Sequence, residues 1–187
     1  MNNPVLLDES RRTIMEYEFG VNRYLKTVVG ENYQAVIICE KFTRKHIGLS
    51  LTQWANLKLA TCLIGVHIAL IKEKPEGHEV IKYSMHLGSC LFVNISEGFP
   101  CIDIRYFYMN NRLNKIMPEQ RGFTIHLGEW ADFKEAIDTI CRDTPIMRRA
   151  GPCMHEDSDD GLKCWSCNPF RVKSTTAARS IYWHRSA

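Results

Sequence analysis

The chain has 187 residues, room for one large domain or two small ones at roughly 100–150 residues each. With 45% hydrophobic and 24% charged residues it has the make-up of a folded globular chain, which argues against disorder along its whole length. A formal net charge of +3 excludes a strongly basic tail protein but leaves room for a basic patch on one face.

Residues 1–13, MNNPVLLDESRRT, mix acids and bases and lack the apolar stretch of a secretory signal. Strand candidates follow at 17–29, broken near Gly20, and at 33–42, with Gly30-Glu31-Asn32 as the turn between them. The longest apolar run, LATCLIGVHIALI at 59–71, has 13 residues and falls short of the ~18–20 that span a bilayer. No membrane partner is expected, and the reading is of an intracellular protein. Its eight cysteines then sit in a reducing compartment, where burial or metal binding is favoured over disulfides. Residues 72–77, KEKPEG, read as a linker. Beyond it, strand candidates lie at 81–85, 89–95 and 101–109. Glu97-Gly98 marks a hairpin, and Asn110-Asn111 with Pro118-Glu119 bound a longer turn.

Two stretches match at an offset of 76: IGLSLTQWANLK at 47–58 and FTIHLGEWADFK at 123–134. Leu49 and Leu51 correspond to Ile125 and Leu127, and Trp54, Ala55 and Lys58 to Trp130, Ala131 and Lys134. In each copy the apolar period changes from two to a helical one at the Trp. Trp130, Phe133, Ile137 and Ile140 then make a helical stripe with Asp132, Lys134, Glu135 and Asp138 outside it. Thr52 is the expected N-cap of the first helix and Gly128 a weaker one for the second. Trp54 and Trp130 are expected to pack helix against sheet rather than to stack on a ligand. The coarse pattern is strand-strand-strand-strand-helix, twice. It divides the chain into units at 1–74 and 78–144 and a tail at 145–187.

The tail has no run suited to a long regular element. It carries Cys153-Met-His155 and, eight residues later, Cys164-Trp-Ser-Cys167. A Cys-x-x-Cys pair lets two thiolates bind one tetrahedral zinc, and Cys153 with His155 supplies a second pair, although Cys-x-His is a tight spacing. The alternatives are a reduced dithiol and a redox pair; metal would explain how so apolar-poor a segment holds a shape. The acidic run at 157–161 lacks the glutamate of a calcium loop and reads as a solvated turn. Cys39, Cys62, Cys90, Cys101 and Cys141 lie in or beside apolar segments and are expected in the core. The basic, aromatic stretch at 179–185 is a further candidate for nucleic-acid contact, with a frayed chain end as the default reading. Phosphate-loop, nucleophile-elbow and paired metal-helix motifs are absent from the sequence, so no enzyme is expected.

The stretch 101–134 resembles the single-stranded-DNA-binding domain of the positive cofactor four family of transcriptional coactivators. The resemblance rests on Ile102-Asp103-Ile104-Arg105, the aromatics Tyr106-Phe107-Tyr108, Pro118, Arg121-Gly122, Phe123-Thr124-Ile125 and Glu129-Trp130. With the preceding strands it covers about sixty residues; the first unit joins it through 45–58 and through the internal repeat. The resemblance implies an α+β fold: two repeats of a curved four-stranded antiparallel sheet followed by a helix, packed as a pseudo-dimer within one chain. A small C-terminal metal-knuckle-like segment completes the expected architecture. The resemblance also implies a partner, single-stranded DNA or RNA, and a role in transcription or replication, in the nucleus or wherever DNA is handled. Transcription or replication proteins are further expected partners, and a homodimer is an open alternative.

Single-strand binding needs cations that track phosphates and flat rings that stack bases. The candidates in the first unit are Arg23, Tyr24, Lys26, Lys41, Arg44 and Lys45. Those in the second are Arg105, Phe107, Tyr108, Lys115 and Arg121. Period-two alternation separates Arg105 and Phe107 from Tyr108, so one ligand reaches all of them only across a bulge. The zinc candidates are Cys153, His155, Cys164 and Cys167. One departure weakens the second unit: where the family carries a basic, aromatic strand, this chain has VNISEG at 93–98. The competing reading is a protein-assembly module on the same fold with eroded nucleic-acid contacts.

Overall fold

The computed structural model describes residues 12–73 and 82–153, together with Cys164. Four antiparallel strands, β1 (Thr13–Phe19), β2 (Arg23–Val29), β3 (Gln34–Glu40) and β4 (His46–Ser50), form a meander in that order, and the helix α1 (Leu51–Glu73) follows without a break. A second meander, β5 (Lys82–Gly88), β6 (Leu91–Ser96), β7 (Phe99–Asn110) and β8 (Lys115–His126), leads through a 3-10 turn at Leu127–Glu129 into α2 (Trp130–Asp143). The short helix α3 (Pro145–Arg149) comes next. The expected α+β class, with two four-stranded antiparallel sheets and helices, is what the chain adopts. Most of the linker (74–77), the 179–185 stretch, His155 and Cys167 lie outside the described residues.

Several boundaries differ from the sequence reading. The first strand begins at Thr13, well before residue 17. Pro118, expected in a turn, sits inside the continuous strand β8. That strand is the free edge of its sheet, where a missing N–H removes no ladder bond. The α1 cap is Ser50 rather than Thr52: Ser50 Oγ accepts from the Gln53 N–H (3.3 Å) while Gln53 Oε1 accepts from the Ser50 N–H (2.9 Å), a reciprocal capping box. At the matching place before α2, Glu129 Oε2 accepts from the His126 N–H at 3.0 Å. Gly128 caps nothing there, because the 3-10 turn moves the start of the helix to Trp130.

Alternation sorts each strand into two faces. Phe19, Leu25, Val36, Ile38, Ile47 and Leu49 point inward from the first sheet; Leu87, Val93, Ile102, Ile104, Phe123 and Ile125 do so from the second. These side chains join one hydrophobic cluster with Trp54, Leu57, Ile64 and Ile68 of α1 and Trp130, Phe133, Ile137 and Ile140 of α2. Both tryptophans are core residues, as expected. Each helix packs on the first strand of the other sheet, α1 on β5 and α2 on β1. Phe19 of β1 meets Phe133 of α2 edge to face at 4.9 Å, and His67 of α1 lies 4.6 Å from the Tyr83 ring of β5.

The helix starts also reach across. Gln53 Nε2 donates to the Gly88 carbonyl (3.0 Å) and Asn56 Nδ2 to that of Leu87 (2.9 Å), giving both buried amide groups acceptors at the end of β5. In the mirrored position Glu129 lies over Gly20 in the β1–β2 turn. Gly20 has φ +55°, and a Cβ there would stand 2.5 Å from Glu129 Oε1. Behind α1, Lys58 Nζ donates to the carbonyls of Met147, Arg148 and Ala150 at 2.9, 2.9 and 3.1 Å, capturing the C-terminal end of α3. Trp54 Nε1 donates to the same Met147 carbonyl at 3.0 Å.

Gly20→Ala combines backbone strain with that clash, so it should lower unfolding stability by about 2 kcal/mol in urea titrations. Gly48→Ala, where a Cβ meets nothing within 4 Å, should stay within about 0.5 kcal/mol of the parent.

Candidate nucleic-acid interface

The candidate cations and rings fall into three places. The first is the outward face of the first sheet. Register sets Glu18, Tyr24, Cys39 and His46 in one cross-strand row and Glu16, Lys26, Ile37 and Gly48 in the next. Tyr24 and Lys26 therefore share this face. Lys26 pairs with Glu16 at 3.5 Å. Tyr24 lies beside Cys39, which is the main reason its phenol titrates above its usual range.

Arg23 does not join them. Its parity is that of Phe19 and Leu25, so it turns to the junction between the sheets. There its Nη1 donates to Glu129 Oε2 (2.6 Å) and the Thr124 carbonyl (2.9 Å), and its Nη2 stands 3.6 Å from Glu40. Its side chain is 12% exposed. The expected phosphate ligand is engaged in holding the two sheets together.

The second place is the outward face of the second sheet, where His86, Phe92, Arg105 and Gly122 form the equivalent row. His86 lies 4.9 Å from Phe92, and Phe92 meets Phe107 edge to face at 5.3 Å, so three rings run side by side across three strands. Arg105 ends the row. Its Nε and Nη2 donate to the two oxygens of Asp103 at 2.8 and 2.9 Å, and Nη1 donates to the Glu119 carbonyl at 2.9 Å. The bonds to Asp103 hold the guanidinium proton more firmly than usual. Gly122 makes this possible: a Cβ there would lie 2.9 Å from Arg105 Cζ.

A bulge is present, but it lies in β8, so β7 still sends Phe107 and Tyr108 to opposite faces. Between the pairs Arg105–Gly122 and Phe107–Pro118, β7 advances two residues while β8 advances four. The excess in β8 places the Arg121 guanidinium over the Tyr106 ring at 4.6 Å and turns the Glu119 carbonyl toward Arg105. Beyond Phe107, whose N–H donates to the Cys90 carbonyl at 2.9 Å, β7 and β8 continue as a hairpin that carries the exposed Tyr108 and Lys115 and ends in the turn 111–114.

The third place is the seam where β4 of the first sheet approaches β8 of the second. Lys41, Arg44 and Lys45 belong to the exposed turn between β3 and β4. Lys45 reaches across to the Phe123 ring, 5.7 Å from its centroid. Phe123 pairs with Ile104, and Tyr106 with its covering Arg121 stands two residues further along β7. Lys45 from one sheet and Arg121 from the other thus meet along one seam, Lys45 over the buried Phe123 ring and Arg121 over the half-buried Tyr106. Arg121 also bonds Glu119 at 2.7 Å and Lys41 bonds Glu18 at 3.2 Å, both exposed pairs that solvent screens and a phosphate can exchange. Arg44 pairs with no acid among the described residues.

Of the metal candidates, Cys153 and Cys164 are described, with their Sγ atoms 3.5 Å apart. That is too long for a disulfide and close to the ~3.8 Å between two thiolates on one tetrahedral zinc. Among the described residues no group of three or more metal-binding side chains gathers. Cys39 and Cys101 are buried as expected, but Cys62 is exposed on α1 because the opposite face of that helix meets the sheets.

Sequence reasoning missed Tyr106, His86 and Phe92. Phe92 sits in a strand whose apolar run conceals which rings face outward, only register joins His86 to it, and Tyr106 has the inward parity of Ile104 and reaches the seam at the end of the core.

Arg23→Gln leaves Glu129 without its cation and should lower unfolding stability by about 2 kcal/mol, whereas Lys26→Gln, at a partly exposed pair, should change it by less than about 0.5 kcal/mol in the same urea titration. No family model matches the chain, and none of the curated proteins compared with it gives a match.

Proposed function

We propose that the chain binds single-stranded nucleic acid along the seam between its sheets, with phosphates tracked by the β3–β4 turn and Arg121. The observation that carries this reading is the convergence of the exposed Lys45 and Arg121, from different sheets, on one seam, with the half-buried Tyr106 ring beside it and the Phe123 ring buried beneath. Cations beside flat rings are the means by which proteins hold a strand without reading its sequence. On the outward face of the second sheet the partly exposed Phe107 and His86 continue the path, with Phe92 buried between them.

We further infer that the two sheet–helix units are copies of one ancestral unit packed as a pseudo-dimer. What supports this is the correspondence of position: Trp54 with Trp130, Gln53 with Glu129, Gly20 with Gly88, and Tyr24 with Phe92 in equivalent rows. The resemblance to the positive cofactor four family then supports a role in transcription or replication, in the compartment that handles DNA. Zinc belongs to the same proposal: the Cys153 and Cys164 thiolates are two ligands with suitable spacing, and His155 and Cys167, outside the described residues, are the sequence's candidates for the rest.

A second reading, an assembly module, is favoured by one observation. Arg23, Lys26 and Arg105 are each paired with an acid of this chain.

Fluorescence anisotropy of a labelled single strand of about 20 nucleotides, beside its duplex, separates the readings. The single strand should bind more tightly, and binding should fall with salt as counterions are released. Lys45→Glu and Arg121→Glu should each weaken it about tenfold, or about 1.4 kcal/mol. Arg105→Ala should weaken it less, because Asp103 already holds that guanidinium. Absence of binding by folded protein at low salt overturns the proposal in favour of the assembly module. Metal analysis of the purified chain should find one zinc, lost in Cys153→Ser and in Cys164→Ser; a zinc-free protein with a disulfide between these cysteines overturns the metal assignment.

A further inference from the structure

The helix α1 has two apolar faces, and the sheets cover only one. Trp54, Leu57, Ala60, Ile64 and Ile68 are buried. Opposite them Leu59, Leu63, Val66 and Leu70 are 56, 48, 49 and 46% exposed, although an apolar side chain on a folded helix normally turns to the core. Cys62 and Ala69, also exposed, widen the stripe, and no charged side chain interrupts it. Of the other exposed large apolar residues, Val21, Phe42, Phe99 and Leu113 lie in turns or at a strand end, and Ile14 and Tyr108 stand singly in strands, as scattered surface residues do.

The spacing within the stripe is four, three, four, the alternation of the seam along which two helices interlock knobs into holes. Ile146, also exposed, belongs to α3, the element that packs beside Lys58 of α1. Small side chains at Cys62 and Ala69 allow a second helix to come close. We propose that this face is where two copies of the chain pair, α1 against α1.

The face suits a second copy for three reasons. It carries no like charges that would meet across a two-fold axis, so it is compatible with itself, as a symmetric interface must be. Its apolar area is on the order of a few hundred Å², the size at which exposed apolar surface marks an interaction site. A stable interface covers about 800 Å² on each partner, which the stripe approaches only when α3 and the flanks of α1 are included, as a lengthwise helix pair would include them. The helix is also already ordered by its packing on the sheets, so pairing carries no cost of helix nucleation. The inference is independent of nucleic-acid binding, since the stripe shares no residue with the seam.

By length and composition α1 is also apolar enough to cross a bilayer, so lipid is the competing occupant. Light scattering coupled to size exclusion, on the full chain across a concentration series, tests the pairing. The mass should be twice 21.7 kDa at micromolar concentration and fall toward 21.7 kDa on dilution. Leu63→Glu should shift the midpoint of dissociation at least tenfold upward with an unchanged circular dichroism spectrum, and Val66→Gln should do so more mildly. A chain that stays monomeric throughout, or a dimer that neither substitution weakens, overturns the proposal. Monomers that float with neutral phosphatidylcholine vesicles, and cease to do so in Leu63→Glu, would assign the stripe to lipid instead.

Discussion

The start of each helix docks on the first turn of the opposite sheet, and the rest of the structure is arranged around that exchange. A four-stranded meander with one inward apolar face cannot bury that face alone. Here the first strand of each sheet is covered by the other unit's helix. The exchange is fixed by polar groups at its two ends. Gln53 and Asn56 meet the carbonyls at Gly88 and Leu87, and Arg23 and Glu129 meet above Gly20. These groups are largely withdrawn from water, so misregister would leave them without partners, a penalty larger than their net contribution when paired. They select one arrangement, while Trp54, Trp130, Phe19 and Phe133 supply the apolar area that holds it.

That arrangement also creates the seam. With α1 on β5 and α2 on β1, the edges β4 and β8 approach each other, and Lys45 comes to the ring of Phe123. Neither sheet has such a surface by itself. The bulge in β8 adds Arg121 above Tyr106, and its cause is local: Gly122 leaves room for Arg105 to lie across the strand, and Pro118 needs no ladder partner at the edge. The same exchange covers one side of α1 and leaves the other in solvent. An apolar run of this length would suit burial on several sides, but two sheets and a five-residue α3 enclose only part of the helix.

The order and type of elements were legible in the sequence because they depend on local period. Alternation around Leu25, Ile38, Val93 and Ile104 marks strands, and the stripe from Trp130 to Ile140 marks a helix. The cap at Ser50 was misassigned to Thr52 because both residues are good caps, and only the reciprocal bond with Gln53 distinguishes them. The fate of Arg23 was not legible for a different reason. Tyr24 and Lys26 lie one and three residues away, which reads as a cluster, yet a strand sends neighbours to opposite faces and the acid that captures Arg23 is over a hundred residues distant.

The sequence by itself determined two four-stranded units, their helices, the core positions of both tryptophans and the residue types suited to a polyanion. Each of these follows from spacing along the chain. The tertiary structure decided which cations are bound to acids of the chain and which are exposed, which rings share a row, and which face of α1 remains open. Those depend on register and on packing between segments far apart in sequence, where the outcome is set by the geometry of the whole molecule rather than by neighbours along the chain.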